Sequence, residues 1–187
     1  RSQGGAHDTA VSDLPVLILL HGMGDGHSAW LRKTAVERYA LEHGVNVLCE
    51  KPMSIDYASG EANVKLAQEK NLRYGIIFQC RYNNTSRLIK ENLDNGKLGK
   101  LISARCTLTW CKPDSYYSLS DWKGTWDKEG GGVIIDQAIH SLDLANWFID
   151  SEPVEVQAHI ANRNHSIMNV DDTGEGFIKY ANGATLA

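Results

Sequence analysis

Three side chains in this sequence have the types and settings to run one reaction. Lys51 follows the apolar run Val45–Cys49 and Glu50, and Pro52 comes next. A proline forces the residue before it out of helical geometry. Lys51 is therefore expected in an extended turn at the carboxyl end of a buried strand, where open α/β sheets place ligands. Asp136 and His140 stand four residues apart, hence on one face of a helix. Gly130, Gly131 and Gly132 come just before them and let a loop approach a ligand closely. A carboxylate, an imidazole and an ammonium in one cleft suit dehydrogenation of an alcohol. A base takes the hydroxyl proton while hydride leaves the carbon for a nicotinamide. The plainer alternatives are a solvated lysine and a helical i,i+4 pair worth a few tenths of a kcal/mol.

A second stretch with chemical content is the glycine-rich turn His21-Gly22-Met23-Gly24-Asp25-Gly26-His27-Ser28. Strand, glycine turn and helix make a phosphate cradle, because backbone N–H groups at a helix start favour anions. Gly24-x-Gly26-x-x-Ala29 fits the looser dinucleotide fingerprint, and Glu50 ends the next strand 21 residues past Ala29. The register is out by three residues, so loop glycines are the stronger reading. Gly26-His27-Ser28-Ala29-Trp30 approaches a nucleophile elbow, but Trp30 stands where the sharp turn needs glycine. Ser28 is better read as a helix N-cap.

The elements that would position these groups follow from apolar periodicity. Strands are expected at Val16–Leu20, Val45–Cys49 and Tyr74–Cys80, with helices at about 29–42, from Ser54/Asp56 to Lys70, and at 85–95. The second helix should turn Ala58, Ala62, Leu66 and Ala67 inward. This alternation predicts a parallel sheet with right-handed crossovers. After Gly99 the pattern changes. Leu101–Trp110 reads as a long strand of a more open sheet. A polar loop spans 112–131, where Tyr117, Trp122 and Trp126 are expected as loop core. A helix runs from Gly132 to Phe148, and strands follow at 154–160, 176–180 and from Ala184. The fold class is α/β: a partial Rossmann-like parallel sheet (1–98), then an incomplete α+β domain with a mostly antiparallel sheet (99–187), divided near Gly96–Lys100.

Composition narrows the classes. The 187 residues are 42% hydrophobic and 22% charged with net charge -4, which excludes a disordered tail and argues against nucleic-acid or anionic-membrane binding. The longest apolar run, Val16–Leu20, is far short of a membrane span, and its flanks do not suit a signal peptide. Cys49, Cys80, Cys106 and Cys111 make no C-x-x-C pair, so no metal site is expected. Cys49 and Cys80 read as core thiols and the setting as reducing and cytoplasmic.

Two family resemblances overlay this reading. Leu14-Pro15-Val16-Leu17-Ile18-Leu19-Leu20-His21-Gly22-Met23-Gly24-Asp25-Gly26 resembles the start of an α/β-hydrolase esterase of the esterase-D or tributyrin-esterase type, over about residues 12–44. From about Leu41 onward the chain resembles the Gfo/Idh/MocA oxidoreductases, NAD(P)-dependent dehydrogenases of sugars and polyols. His43-Gly44-Val45-Asn46-Val47-Leu48-Cys49-Glu50-Lys51-Pro52 matches their Glu-Lys-Pro strand end. Gly130-Gly131-Gly132-Val133-Ile134-Ile135-Asp136-Gln137-Ala138-Ile139-His140 matches their glycine run followed by Asp-x-x-x-His. The second resemblance implies hydride transfer between NAD or NADP and a sugar or polyol hydroxyl. Lys51 would bond the reacting hydroxyl and the nicotinamide ribose, His140 would be the general acid/base, and Asp136 would orient the substrate or His140. Glu50, Lys51, Pro52 and Arg81 would lie at the cofactor. A homo-oligomer through the C-terminal sheet is a further expectation. The family's own G-x-G-x-x-G strand does not precede Glu-Lys-Pro here. The chain therefore reads as a chimera or truncated fragment, impaired in cofactor binding. The alternatives are an esterase fragment and a non-catalytic chimeric chain.

Overall fold

A computed structural model describes residues 15–19 and 35–187. The glycine turn at 21–28 and Ser28 lie outside the described residues. The chain divides into two compact units, one up to Ile77 and one from Phe78 to Ala187.

The first unit is the expected parallel sheet. Strands β1 (Val16–Leu19), β2 (Asn46–Glu50) and β3 (Tyr74–Ile77) lie in the order β1-β2-β3. Leu17 pairs with Val47, and Cys49 with Ile76. Helix α1 (Val36–Glu42) leads into β2 through Gly44, whose φ of +77° is open to glycine at no steric cost. Helix α2 (Tyr57–Glu69) starts where Asp56 accepts the Ser59 N–H at 2.8 Å. The core is Leu19, Ala40, Leu41, Val47, Cys49 and Ala67. The α2 stripe differs from the expected one. Gly60, Asn63 and Ala67 face inward, while Ala58 and Ala62 are exposed. Gly60 lies so close to the preceding turn that a Cβ would stand 2.8 Å from Ser54 Oγ, and Asn63 reaches the Tyr74 hydroxyl. Close approach and a polar bond, rather than apolar count, set the helix phase.

In the second unit, a 3-10 turn (Gln79–Tyr82) enters helix α3 (Asn84–Asp94). Strand β4 (Ser103–Ala104) and the short helix α4 (Asp114–Ser118) follow. A π turn (Ile134–Ala138) runs directly into α5 (Ile139–Ile149), and strands β5 (Pro153–Ala161), β6 (Thr173–Tyr180) and β7 (Thr185–Leu186) complete it. The sheet order is β4-β7-β6-β5, antiparallel except for β4 against β7. Its core joins Ala145 and Ile149 of α5 to Tyr180, Ala184 and Leu186. By packing, the division falls before α3 rather than at Gly96–Lys100. Lys90 of α3 bonds Asp150 at 3.3 Å, and Arg81 bonds Asp143 of α5, which ties this segment to the second unit.

The long strand expected at Leu101–Trp110 is reduced to two residues. Its neighbour β7 offers only Thr185 and Leu186, and the last bond is Cys106 N–H to the Ala187 carbonyl at 2.8 Å. Among the described residues no strand pairs with Thr107–Trp110. The 112–131 loop carries α4, and its aromatic residues divide. Trp122 is buried and Tyr117 half-buried, but Trp126 is 50% exposed and is not core. All four cysteines are free. Cys49 is buried as expected, Cys80 only half so. Among the described residues no helix is long and apolar enough to cross a membrane, and no cluster of ligands suits a metal ion.

Candidate functional site

In the first unit, Glu50-Lys51-Pro52 closes β2 at its carboxyl end. Lys51 is only 5% exposed, so it is not the solvated strand-end lysine of the plainer alternative. Pro52 is buried too, and the Lys51–Pro52 peptide is cis. A lysine is buried at the rim of a sheet only at a cost, unless polar groups receive it.

In the second unit the structure places Asp136 and His140 on one supported helix, with Arg81 of the 3-10 turn bonded to Asp143 on that helix. The helix start is clamped by Asp171, whose carboxylate accepts the Gly132 N–H at 2.8 Å and the Ile134 N–H at 3.2 Å. The Val133 N–H reaches the Asp171 carbonyl at 3.0 Å. These bonds satisfy donors that a helix start leaves open and place negative charge at its positive end. The loop passes so close that a Cβ on Gly132 would lie 1.8 Å from the Asp171 carbonyl oxygen. The glycine run is needed for this approach of two backbones.

The π turn covers Asp136, so the helix is locally wider than the regular one expected over 132–148. Such turns recur at functional sites. Asp136 is 8% exposed and His140 half-buried. The Asp136 carboxylate accepts from Lys112 Nζ at 2.7 Å and from Gln137 Nε2 at 3.3 Å. Lys112 also bonds the Tyr116 hydroxyl at 3.1 Å. Burial alone would lower the Lys112 pKa, but the Asp136 carboxylate outweighs it and the net direction is up.

Lys112 was not legible from the sequence, nor was what holds it. The His165 ring faces the Lys112 carbonyl through Nε2 at 2.7 Å and Asp172 through Nδ1 at 2.9 Å. Two acceptors favour the imidazolium. The His165 pKa is raised, chiefly by Asp172, then by the Lys112 carbonyl. Burial works against the Asp172 carboxylate, but the Arg163 and Asn164 amides and His165 hold its pKa below the usual range. Glu129 is 2% exposed and accepts the Gly124 N–H at 2.6 Å. Burial pushes its carboxyl up to about 7.

Arg81 forms a two-pronged pair with Asp143, Nε to Oδ2 at 2.7 Å and Nη2 to Oδ1 at 2.5 Å. Its guanidinium also lies 5.5 Å from the Trp147 ring centre. It anchors the helix three residues past His140. An apolar cleft of about 510 Å³ in this unit, walled by Leu108, Trp110, Ile134, Leu142, Val156 and Ile178, is lined by neither Asp136 nor His140.

With these placements established, comparison with known proteins decides the family. The model of the GFO/IDH/MocA C-terminal domain matches residues 86–187. That span is more than half of the chain. The chain belongs to the Gfo/Idh/MocA oxidoreductase family. The family's NAD-binding Rossmann model matches residues 31–78, ten residues earlier than the resemblance from Leu41 implied. The chain is 28% identical over 148 residues to the putative oxidoreductase YteT of Bacillus subtilis, covering 78% of this chain and 32% of that protein. It is 26% identical over 144 residues to 1,5-anhydro-D-fructose reductase of Ensifer adhaerens, covering 77% and 42%. The WlbA dehydrogenase from Bordetella pertussis, solved with NADH and UDP-GlcNAcA, superposes with a TM-score of 0.78 at 26% identity, over 95% of this chain and 48% of that one. The chain thus spans half or less of the length of these relatives.

Proposed function

We propose that this Gfo/Idh/MocA chain carries the substrate side of an NAD(P)-dependent dehydrogenation of a sugar or polyol hydroxyl. The observation that carries this reading is the pairing of Asp136 and His140 on one helix that Asp171 clamps at its start and Arg81 anchors beyond it. His140 takes the hydroxyl proton as the C–H hydrogen leaves as hydride, giving a carbonyl. Asp136, held by Lys112, orients the substrate or His140. For Lys51, in the first unit, the family resemblance implies a hydrogen bond to a substrate hydroxyl. Glu50, Lys51 and Pro52 would hold the nicotinamide end, since they stand at the carboxyl end of a parallel strand. The bound nicotinamide supplies the hydride acceptor. Arg81 enters through Asp143, as a residue that fixes the helix. Sugar and polyol relatives such as inositol 2-dehydrogenase of Rhizobium meliloti, 26% identical, support this substrate class.

The esterase-like resemblance enters this reading as a borrowed segment, with the function taken from the remainder. Four free thiols support a reducing, cytoplasmic setting. Exposed Val154, Val156, Ile160 and Phe177 support a homo-oligomer through the C-terminal sheet.

The test is formation of reduced nicotinamide from NAD+ or NADP+ at high concentration with myo-inositol, D-xylose and levoglucosan. His140→Ala is expected to lower turnover about 10²–10⁴-fold, and Lys51→Ala to lower turnover more than stability. Unchanged turnover in His140→Ala would remove it as the acid/base, and no turnover of any polyol overturns the reading for this chain.

A further inference from the structure

The loop around the candidate site carries a charge arrangement that an uncharged sugar does not require. Two ammonium groups share the ring of Tyr116: Lys112 Nζ lies 4.2 Å from its centre and Lys123 Nζ 3.8 Å. Both fall within one Debye length, about 8 Å in physiological salt, so their fields add. Lys112 is neutralised by Asp136 at 2.7 Å. Lys123 forms no ion pair among the described residues. The neighbouring carboxylates are committed elsewhere. Asp143 holds Arg81, Asp172 holds His165, and Asp171 caps the helix start. Glu129 is turned inward onto the Gly124 amide, and burial raises its carboxyl to about 7, with the nearby Lys112 and Lys123 charges as smaller opposing causes. The surroundings are aromatic. Lys112 lies 5.5 Å from the Trp110 ring centre and Lys123 5.4 Å from that of Trp122. Trp110 is 66% exposed and offers a face on which a sugar ring can stack.

We infer that Lys123, beside the Lys112–Asp136 pair and the Tyr116 ring, is a subsite for an anionic substituent, a carboxylate or a phosphate, on the sugar that this site takes. The inference rests on the reading of Asp136 and His140 as substrate-facing, and it deepens that reading by naming an acidic sugar. Lys112 is spent on Asp136, which leaves Lys123 as the cation for the ligand. A half-buried ammonium on an aromatic ring is less hydrated than one in open water, which raises what an anion gains there.

The experiment is direct binding to the full chain by titration calorimetry, without cofactor, using D-glucuronate, D-glucose 6-phosphate and D-glucose. At least one anionic sugar is expected to bind about tenfold or more tightly than D-glucose. The ratio should shrink as salt is raised, collapse in Lys123→Gln, and survive in Lys123→Arg. The first two probes separate carboxylate from phosphate. Equal binding of all three sugars, binding of none, or a ratio unchanged in Lys123→Gln overturns the subsite. Discrimination without turnover would keep the subsite and sink the dehydrogenase reading. Turnover of a neutral polyol without discrimination would do the reverse.

Discussion

At the residue scale, the site is built by oxygen atoms that receive what the helix and loop must present. Asp171 is the clearest case. It holds the backbone of Gly132, Val133 and Ile134 through three acceptor bonds, and so sets where Asp136 begins. Nothing in the spacing marks Asp171, because it lies 39 residues from Gly132. The glycine run was readable, since only glycine permits such an approach. Lys51, Asp136 and His140 were singled out as candidates by residue type and local spacing. Lys112 was not, because a lysine in a loop acquires meaning only from the carboxylate it meets 24 residues later. A prediction belongs here. Gly132→Ala puts a methyl group where the Asp171 carbonyl oxygen stands, and neither backbone can yield without breaking the clamp. The expected loss is at least about 3 kcal/mol of stability, a magnitude reserved for severe overpacking or backbone strain. Urea denaturation measures it, and an unchanged midpoint would mean that the clamp does not hold in solution.

At the element scale, strand and helix order was legible wherever local pattern and tertiary partners agreed. It failed where a partner decided the outcome. Leu101–Trp110 has the alternation of a strand, but only Ser103 and Ala104 find ladder partners among the described residues. The π turn at Ile134–Ala138 has no signature in apolar periodicity, because one widened turn barely moves the apolar face. The 121–131 loop offers a second prediction through Glu129. Its folded pKa of about 7 stands above the usual 4.5. Between those values the folded chain holds a proton that the unfolded chain has released, so stability falls as pH rises through this window. The contribution is complete below the unfolded value and lost once pH passes the folded one. The shift corresponds to roughly 3 kcal/mol at its limit. Thermal melts of wild type and Glu129→Gln across pH 4.5 to 7.5 should converge toward neutrality in one direction only, with wild type losing stability relative to the glutamine variant as pH rises. A constant difference between the two would show that Glu129 is not held protonated.

At the scale of the whole molecule, family membership bears on how a dinucleotide would be held. Dinucleotides bind open α/β sheets where the strand order reverses, with the pyrophosphate on a glycine turn and the ribose at the end of the next strand. The described strands run β1-β2-β3 in sequence order, so they contain no such reversal. The family's NAD-binding model matches residues 31–78. What the matched segment supplies is the strand end Glu50-Lys51-Pro52, which suits the nicotinamide half alone. Each 1.4 kcal/mol of lost anchoring is tenfold in affinity, and a pyrophosphate site with its ribose contact is worth several such steps. Lys51→Ala is therefore expected to weaken binding of NADH and NADPH to this chain by about tenfold or more. Nucleotide fluorescence or calorimetry decides it on the chain alone, with no substrate needed. Unchanged binding in Lys51→Ala would remove the Glu50-Lys51-Pro52 strand end from the cofactor site.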